Sequence, residues 1–252
     1  MVARLHTGTM STSETTTQPT ILIDVDGTLS ASLPGIQAGL RDALTSTGHP
    51  IPDEAFMSTI AGPPLLETLE RIGLDDEQQL ETLAAYRAHQ EAGGWSVTHM
   101  YDGWPGLLKK WRNDGIRLAT ATSKGHRYTR KTLELFGILD LFEVIGSASD
   151  DGARRAKDDV IEYTLGELGL PAERLQGYEP GETSGSGSAD ALHNVIMIGD
   201  RSHDIAGAHV FGIRCVAAAW GYGTAEEWDQ ADAVALSPDE LDSVVQQLLL
   251  AP

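Results

Sequence analysis

Two acidic residues, separated by one position, stand at the end of the first strongly apolar run of the chain. Asp24 and Asp26 close the run 20–25, and Gly27 permits a sharp turn directly after them. Side chains two positions apart on a strand face the same side. Two such carboxylates can bind a divalent cation, or can divide into a nucleophile and an acid/base. Aspartates that merely begin a turn are the alternative.

A short segment with two hydroxyl groups and a lysine follows the apolar run 116–121. It reads Thr122-Ser123-Lys124. A hydroxyl group at a strand end can donate a hydrogen bond to an anion, although alone it more often caps a helix. The segment is therefore a candidate anion-binding position.

A second lysine, Lys157, falls where the pattern predicts that a helix over 157–168 begins. The amino end of a helix carries partial positive charge and favours acids, so a lysine there is locally unfavourable and indicates a role. An exposed, solvated lysine is the alternative. Arg154 and Arg155 are neighbouring cations, and either could take this role instead of Lys157.

A last pair of acids follows the apolar run 194–199. Asp200 and Asp204 belong to the segment Gly199-Asp200-Arg201-Ser202-His203-Asp204. Carboxylates gathered at the ends of buried strands favour a hard cation such as Mg²⁺, with phosphate as its partner. His203 lies between two acids in a loop, and we interpret it as a surface residue rather than an acid/base.

These residues need a sheet to bring them together. Short apolar runs predict strands at 20–25, 116–121, 143–146, 194–199, 213–219 and 232–236. Amphipathic patterns between them predict helices at 104–114, 126–136, 157–168, 204–211 and 238–250. Alternating strands and helices indicate an α/β fold with a mainly parallel sheet, whose site lies beyond the carboxyl ends of its strands.

Residues 34–100 break this alternation. They predict helices only, at 34–47, 53–60, 64–72 and 76–92. We therefore expect a core domain formed by 20–33 and 101–252, with a small helical domain at 34–100 inserted into it.

Two polar segments stand apart from these domains. Residues 1–19 are rich in Ser and Thr near their end, and we expect a disordered tail. The Gly/Ser-rich segment 177–192 is longer than an ordinary helix-to-strand loop, and we expect a flexible insertion. A phosphate-binding loop is the alternative there, but the segment lacks the Lys-Ser/Thr ending of such loops.

The composition limits the partners. The 252 residues include 18 basic and 37 acidic side chains, for a net charge of −19. This charge disfavours nucleic acids and anionic membranes as partners. One cysteine, Cys215, excludes an intrachain disulfide, and its apolar neighbours predict a buried thiol. A reducing compartment, the cytoplasm, is expected.

In this order, the strand-end groups resemble the four motifs of the haloacid dehalogenase-like (HAD) superfamily, over about residues 20–250. The helical insert resembles the C1 cap of that superfamily. The segments Ala61-Gly62-Pro63-Pro64, GDRSHDIAGA and AAWGYGTAEE are similar to the phosphoglycolate phosphatase-like subgroup. They are also similar to an actinobacterial branch with a member described as a protein tyrosine kinase. The resemblance implies a Rossmann-like three-layer core with a small helical cap.

The resemblance also implies roles for the acids. Asp24 would be the nucleophile that forms an aspartyl-phosphate. Asp26 would protonate the leaving oxygen and then activate water. Mg²⁺ would be held by the carboxylates of Asp24 and Asp200 and by the backbone carbonyl of Asp26. Asp204 would bind the metal itself or support Asp200 or Lys157.

The remaining site residues are expected to hold the substrate. Thr122 and Lys157 would bind the phosphoryl oxygens, and Ser123 would contact the substrate. Gly62 and Pro63 are expected in a cap loop that faces the site. The family often has Lys-Pro at the third motif, whereas Asp158 follows Lys157 in this chain.

The function expected from these residues is a cytoplasmic Mg²⁺-dependent phosphatase. Its substrate would be a small phosphomonoester such as phosphoglycolate, a nucleotide or a sugar phosphate. A phosphoprotein is a further candidate substrate, and a monomer or a homodimer is expected. Two alternatives stay open: a phosphotransferase that uses ATP on protein tyrosine, and a non-catalytic interaction protein on the same fold. The chain has no kinase-type glycine loop, which argues against the first.

Overall fold

The computed structural model describes residues 18–175 and 192–250. Its strands are β1 Thr20–Ile23, β2 Ser30–Ala31, β3 His99–Met100, β4 Arg117–Gly125, β5 Val144–Ala148, β6 Val195–Gly199, β7 Arg214–Ala218 and β8 Ala233–Ala235. Its α-helices are α1 Leu33–Ser46, α2 Glu54–Met57, α3 Leu65–Arg71, α4 Asp76–Glu91, α5 Trp104–Asn113, α6 His126–Leu135, α7 Lys157–Glu167, α8 Ser202–His209, α9 Ala225–Trp228 and α10 Pro238–Leu250.

Six strands form one parallel sheet in the order β5-β4-β1-β6-β7-β8. The first strand is central, and Ile23 at its end is in register with Thr120 of β4 and Ile198 of β6. The chain therefore adds β4 and β5 on one side of β1 and later adds β6, β7 and β8 on the other side. Ligands bind at such a reversal of strand order, beyond the carboxyl ends of the strands.

Side chains that alternate along β1 build a three-layer core. Ile21 belongs to an apolar cluster with Trp104 of α5 and Leu241 of α10 on one face. Leu22 belongs to a second cluster with Val160 of α7 on the other face. All five side chains are fully buried. The expected α/β architecture with a parallel sheet between helical layers is confirmed.

The cap region has an apolar cluster of its own. Leu40 and Leu44 of α1 pack with Met57 and Leu69 from the next two helices. Helix α4 begins at a capping box in which the Asp75 carboxylate accepts from the backbone of Gln78. The helical cap predicted by the sequence is confirmed, while the domain bounds at 33/34 and 100/101 stay predictions.

A two-residue antiparallel pair, β2 with β3, lies where the chain leaves the core for the cap and returns from it. Ser30 pairs with Met100, and Ala31 pairs with His99. The sequence analysis missed this pair because two residues are too few to show a period of two.

The structure corrects the expectation that Thr122-Ser123-Lys124 follows a strand. Strand β4 continues through all three residues to Gly125, because pairing with β5 extends to Ser147 and Ala148 across an irregularity in register. The helix expected at 53–60 is confined to Glu54–Met57. The helix expected at 204–211 begins two residues earlier, at Ser202.

The expected tail 1–19 and insertion 177–192 lie almost wholly outside the described residues. Of their members, Gln18, Pro19 and Leu192 are described, and Leu192 is buried in the core. Cys215 is buried as expected. Within the described ranges, no helix combines the length and apolar character that crossing a bilayer requires.

Candidate active site

Three buried carboxylates meet at the carboxyl ends of β1 and β6. Asp24 follows β1, and its backbone N–H donates to the Ile198 carbonyl at 2.9 Å. Asp24 is 4% exposed, and Asp200 and Asp204 are fully buried. Each of the three offers one oxygen within 4.8 Å of the others. The structure thus brings together three of the acids that the sequence analysis singled out.

Lys157 lies among these carboxylates. Its Nζ is 2.8 Å from Asp24 Oδ1 and 2.6 Å from Asp204 Oδ1, and it donates to the Ala121 carbonyl at 2.8 Å. The lysine is the first residue of α7, where the sequence placed it. Helix α8 packs closely over it, because a Cβ at Gly207 would lie 2.8 Å from Lys157 Cγ. The local cost of a lysine at a helix start is thus offset by two carboxylates.

The two arginines that precede Lys157, Arg154 and Arg155, have different surroundings from the lysine. Arg154 donates through Nε to the Ser147 carbonyl at 2.8 Å, and its guanidinium lies 3.7 Å from the centre of the Tyr163 ring. Arg155 is exposed and lines the cavity described below. Of these cations, Lys157 alone is recorded in an ion pair with Asp24 among the described residues.

Burial and neighbouring charges shift the pKa values of the three carboxylates and of Lys157. Burial raises the pKa of Asp24 to about 6, although Lys157 opposes the shift. Burial, together with the charges of Asp204 and Asp24, raises the pKa of Asp200 well above its usual range. For Asp204, burial is outweighed by the Lys157 ammonium, and the pKa is lowered. The pKa of Lys157 is raised, because the two carboxylates outweigh burial.

The donor set fits a divalent cation. Three carboxylates and one ammonium leave an excess of negative charge in a buried place. A cation there would stabilise the ionised form of Asp200, which burial now disfavours. Carboxylate oxygens are the ligands that Mg²⁺ prefers. Asp24, Asp200 and Asp204 could therefore hold such an ion.

Asp26 is placed apart from this group, against a residue of β4. Lys124 Nζ donates to both of its carboxylate oxygens, at 2.9 and 3.1 Å. Thr122, two residues before Lys124 on the strand, is 1% exposed, and its Oγ1 accepts from the Lys124 N–H at 3.3 Å. The sequence analysis named Lys124 only as part of its motif and did not foresee the ion pair.

The carboxylate of Asp200 is held from two sides. Thr28 Oγ1 donates to Oδ1 at 3.2 Å, and the Tyr222 N–H donates to Oδ2 at 2.7 Å. A Cβ at Gly27 or Gly221 would collide with the Asp200 side chain, so only glycine fits at both positions. The sequence analysis missed Thr28 and Tyr222 as supports. Tyr222 belongs to the segment AAWGYGTAEE, but no local spacing in that segment marks its contact with Asp200.

A cavity of about 520 Å³ lies between the cap and the core. The core residues that line it include Asp24, Asp26 and all three members of the Thr122-Ser123-Lys124 segment. Gly62 and Pro63 line it from the cap. The candidate nucleophile therefore faces a cavity large enough for a small molecule, between both parts of the chain.

The cap loop rests on helix α8. A Cβ at Gly62 would lie 2.9 Å from His203 Cε1, and the Arg201 guanidinium donates to the Ala61 carbonyl. Burial lowers the pKa of His203 to about 4. His203 is thus half-buried against the cap loop and lies in α8 rather than in a loop, so the expectation of a surface residue holds only in part.

Comparison with known proteins agrees with this geometry. A family model described as haloacid dehalogenase-like hydrolase matches residues 21–176, and a second, HAD-hydrolase-like model matches residues 160–249. The chain belongs to the haloacid dehalogenase-like hydrolase family. The family resemblance stated from the motifs is confirmed.

The named relatives include both a kinase and enzymes that remove phosphate. The chain is 39% identical over 217 residues to tyrosine-protein kinase PtkA of Mycobacterium tuberculosis, which covers 86% of this chain and 67% of PtkA. It is 31% identical to a 5′-nucleotidase of Pseudomonas aeruginosa, over 83% of this chain and 86% of the nucleotidase. It is 26% identical to a phosphoglycolate phosphatase of Cereibacter sphaeroides, over 92% and 99%.

A solved structure supports the fold. A predicted phosphatase from Clostridium acetobutylicum superposes with a TM-score of 0.79 at 28% identity, over 91% of this chain and 99% of that one. The HAD-family architecture, core and cap together, is therefore shared along nearly the whole described chain.

Proposed function

We propose that this HAD-family chain is a Mg²⁺-dependent phosphatase that hydrolyses a small phosphomonoester through an aspartyl-phosphate. One observation carries the proposal: Asp24 lines the cavity between the cap and the core while its carboxylate contacts the buried ammonium of Lys157 at 2.8 Å. A carboxylate can approach a phosphate dianion only where positive charge neutralises the pair. The phosphatases among the relatives support the reaction class.

The proposed reaction has two displacements at phosphorus. In the first, an Asp24 oxygen bonds to phosphorus, the bond to the leaving oxygen breaks, and Asp26 gives that oxygen a proton. In the second, Asp26 takes a proton from water, whose oxygen bonds to phosphorus as the bond to Asp24 breaks. Inorganic phosphate and an alcohol leave, and both aspartates return to their starting states.

Mg²⁺, bound by Asp24, Asp200 and the backbone carbonyl of Asp26, would supply positive charge at the phosphoryl oxygens. Asp204 binds the metal or, through its ion pair, fixes Lys157. Thr122 and Lys157 hold the phosphoryl oxygens in this proposal. Ser123, Gly62 and Pro63 contact the rest of the substrate from the cavity wall.

The proposed substrate is a small phosphorylated metabolite, because the site lies in a cavity of about 520 Å³ between the cap and the core. Phosphoglycolate, a nucleotide and a sugar phosphate are candidates, and a phosphoprotein side chain is another. Nucleic acids and membranes are not proposed as partners, given the net charge of −19. A cytoplasmic monomer or homodimer completes the proposal.

The test is phosphate release from a panel of phosphomonoesters with Mg²⁺ and with EDTA. The proposal expects release that depends on Mg²⁺ and is abolished in Asp24→Asn, which keeps the side-chain shape. Asp140→Asn, an exposed position remote from the cavity, is the matched control and should keep full activity. Mass spectrometry of the quenched wild-type enzyme should show a phosphate adduct on the peptide that contains Asp24. Full activity in Asp24→Asn would overturn the mechanism.

The similarity to PtkA favours a second candidate, transfer of phosphate from ATP to protein tyrosine. The same aspartyl-phosphate would pass its phosphoryl group to a phenol instead of water. Incubation with γ-labelled ATP should then give labelled protein, and the label should be lost in Asp24→Asn. Release of free phosphate alone would contradict this candidate. A chain that neither releases nor transfers phosphate would be a non-catalytic interaction protein.

A further inference from the structure

The cavity above Asp24 has two chemically different walls. The core wall is polar and carries the aspartates, hydroxyl groups and Lys124 already described. The cap wall is largely apolar and aromatic, with the half-buried side chains Ile36, Leu65, Leu66, Leu83, Tyr86 and Trp95. The phosphoryl group would occupy the polar wall, so the leaving group must extend towards the apolar one.

Helix α4 turns one face to this cavity. Leu83, Tyr86 and Gln90 line it at a spacing of three and four residues, which places them on one side of the helix. Leu80, one turn before Leu83, does not line the cavity and is 64% exposed. The apolar side chains of α4 that line the cavity therefore lie on one face of the helix, and Leu80 lies outside the cavity.

Among the described residues that line the cavity, no cation is both buried and unpaired, so these residues give the apolar part no anion site. Lys124 is paired with Asp26, and Arg127 is paired with Glu91. Arg87 and Arg155 line the cavity, but both side chains are exposed to solvent. A carboxylate placed against the apolar wall would lose its hydration without gaining a buried cation, which is unfavourable.

We propose that the substrate is a phosphomonoester whose leaving group carries an uncharged apolar ring. This inference rests on the proposed phosphatase function. A two-carbon acid would leave most of the apolar wall in contact with water. A ring would cover it, and apolar area removed from water stabilises the complex. Pockets of this volume commonly bind molecules larger than a two-carbon acid.

Three alkyl phosphates of comparable leaving-group chemistry test the inference: benzyl phosphate, ethyl phosphate and 2-phosphoglycolate. All three release a poor alkoxide leaving group, so intrinsic reactivity differs little among them. We expect kcat/KM for benzyl phosphate to exceed that for each of the other two by about tenfold or more, mainly through a lower KM.

A pair of variants on the same helix locates the effect. Leu83→Asn should lower the ratio of kcat/KM for benzyl phosphate to that for ethyl phosphate by about threefold to tenfold. Leu80→Asn makes the same change outside the cavity and should keep the wild-type ratio. The ratio is taken within each variant, so a loss of folded protein does not affect it.

Each outcome of these experiments either supports or overturns the inference. Phosphate release that favours benzyl phosphate, with a ratio lowered only in Leu83→Asn, supports the inference. Release from ethyl phosphate or 2-phosphoglycolate that equals or exceeds release from benzyl phosphate overturns it and leaves the proposed phosphatase intact. An unchanged ratio in Leu83→Asn also overturns the inference and leaves the proposed phosphatase intact. No release from any of the three overturns the inference, and the broader panel of phosphomonoesters then decides whether the proposed phosphatase stands.

Discussion

Lys124 Nζ lies 2.9 Å from one carboxylate oxygen of Asp26 and 3.1 Å from the other. Both side chains are 14% exposed, so water screens this ion pair less than a pair on the open surface. The ammonium fixes the orientation of the Asp26 carboxylate in the cavity that Asp24 also lines. Asp26 can donate a proton from one carboxylate oxygen while Lys124 holds the other oxygen. Lys124 is therefore a positioning residue for Asp26.

The first prediction concerns Lys124→Met. We expect it to lower kcat for an alkyl phosphate by about tenfold to a hundredfold, because Asp26 loses the contact that orients it as an acid. The loss should be smaller with p-nitrophenyl phosphate, whose leaving group needs little protonation. Steady-state kinetics with both substrates measure the difference.

The controls separate positioning from a structural role. Lys124→Arg keeps the charge and should restore part of the rate on the alkyl phosphate. Lys109→Met changes an exposed lysine on α5 and should leave both rates unchanged. Equal losses on the two substrates in Lys124→Met would show that Lys124 does not act through the acid.

The second prediction concerns the buried charges. In EDTA, Lys157→Met should lower the free energy of unfolding by about 3–5 kcal/mol, because Asp24 and Asp204 would be left without the cation that pairs with them. Urea denaturation measures the change. The double variant Lys157→Met/Asp204→Asn should lose less than Lys157→Met alone. Additive losses in this cycle would contradict the coupling.

The sequence predicted the fold and the main acids because these depend on local patterns. Alternating apolar runs and helices place Asp24 and Asp200 at strand ends, and Lys157 at a helix start. The support of Asp200 by Tyr222 was not predictable, because the two residues meet only once β6 and β7 are aligned. The Lys124–Asp26 pair likewise joins residues 98 positions apart. Such contacts are properties of the assembled sheet, which no local spacing encodes.

The third prediction concerns Gly27, where the backbone has φ of +92° and a Cβ would collide with the Asp200 carboxylate. Gly27→Ala should destabilise the fold and also displace Asp200. The Mg²⁺ concentration for half-maximal phosphate release should therefore rise. Gly48→Ala is the matched control, since Gly48 has φ of +76° and open space around its Cβ position.

The two glycine variants differ in a measurable way. Gly48→Ala should carry only the cost of a left-handed backbone, about 1–3 kcal/mol in thermal or urea unfolding, with an unchanged Mg²⁺ dependence. Gly27→Ala should lose more stability than that and show the altered metal dependence as well. The same Mg²⁺ dependence in both variants would argue that the Asp200 carboxylate is not part of the metal site.

The last prediction concerns Asp232, away from the site. Its Oδ2 accepts from the Cys215 N–H at 2.7 Å and lies 2.9 Å from His209 Nε2. Burial alone would raise the pKa of Asp232, but these two partners outweigh it and lower the pKa below its usual value. A lowered pKa in the folded state stabilises the fold above the pKa of the unfolded chain, about 4, and this contribution is lost as the pH falls further. Asp232→Asn should therefore unfold at lower urea than the wild type at pH 6, and the difference between the two midpoints should shrink as the pH falls below about 4. A constant difference across this range would show that the charge of Asp232 does not contribute.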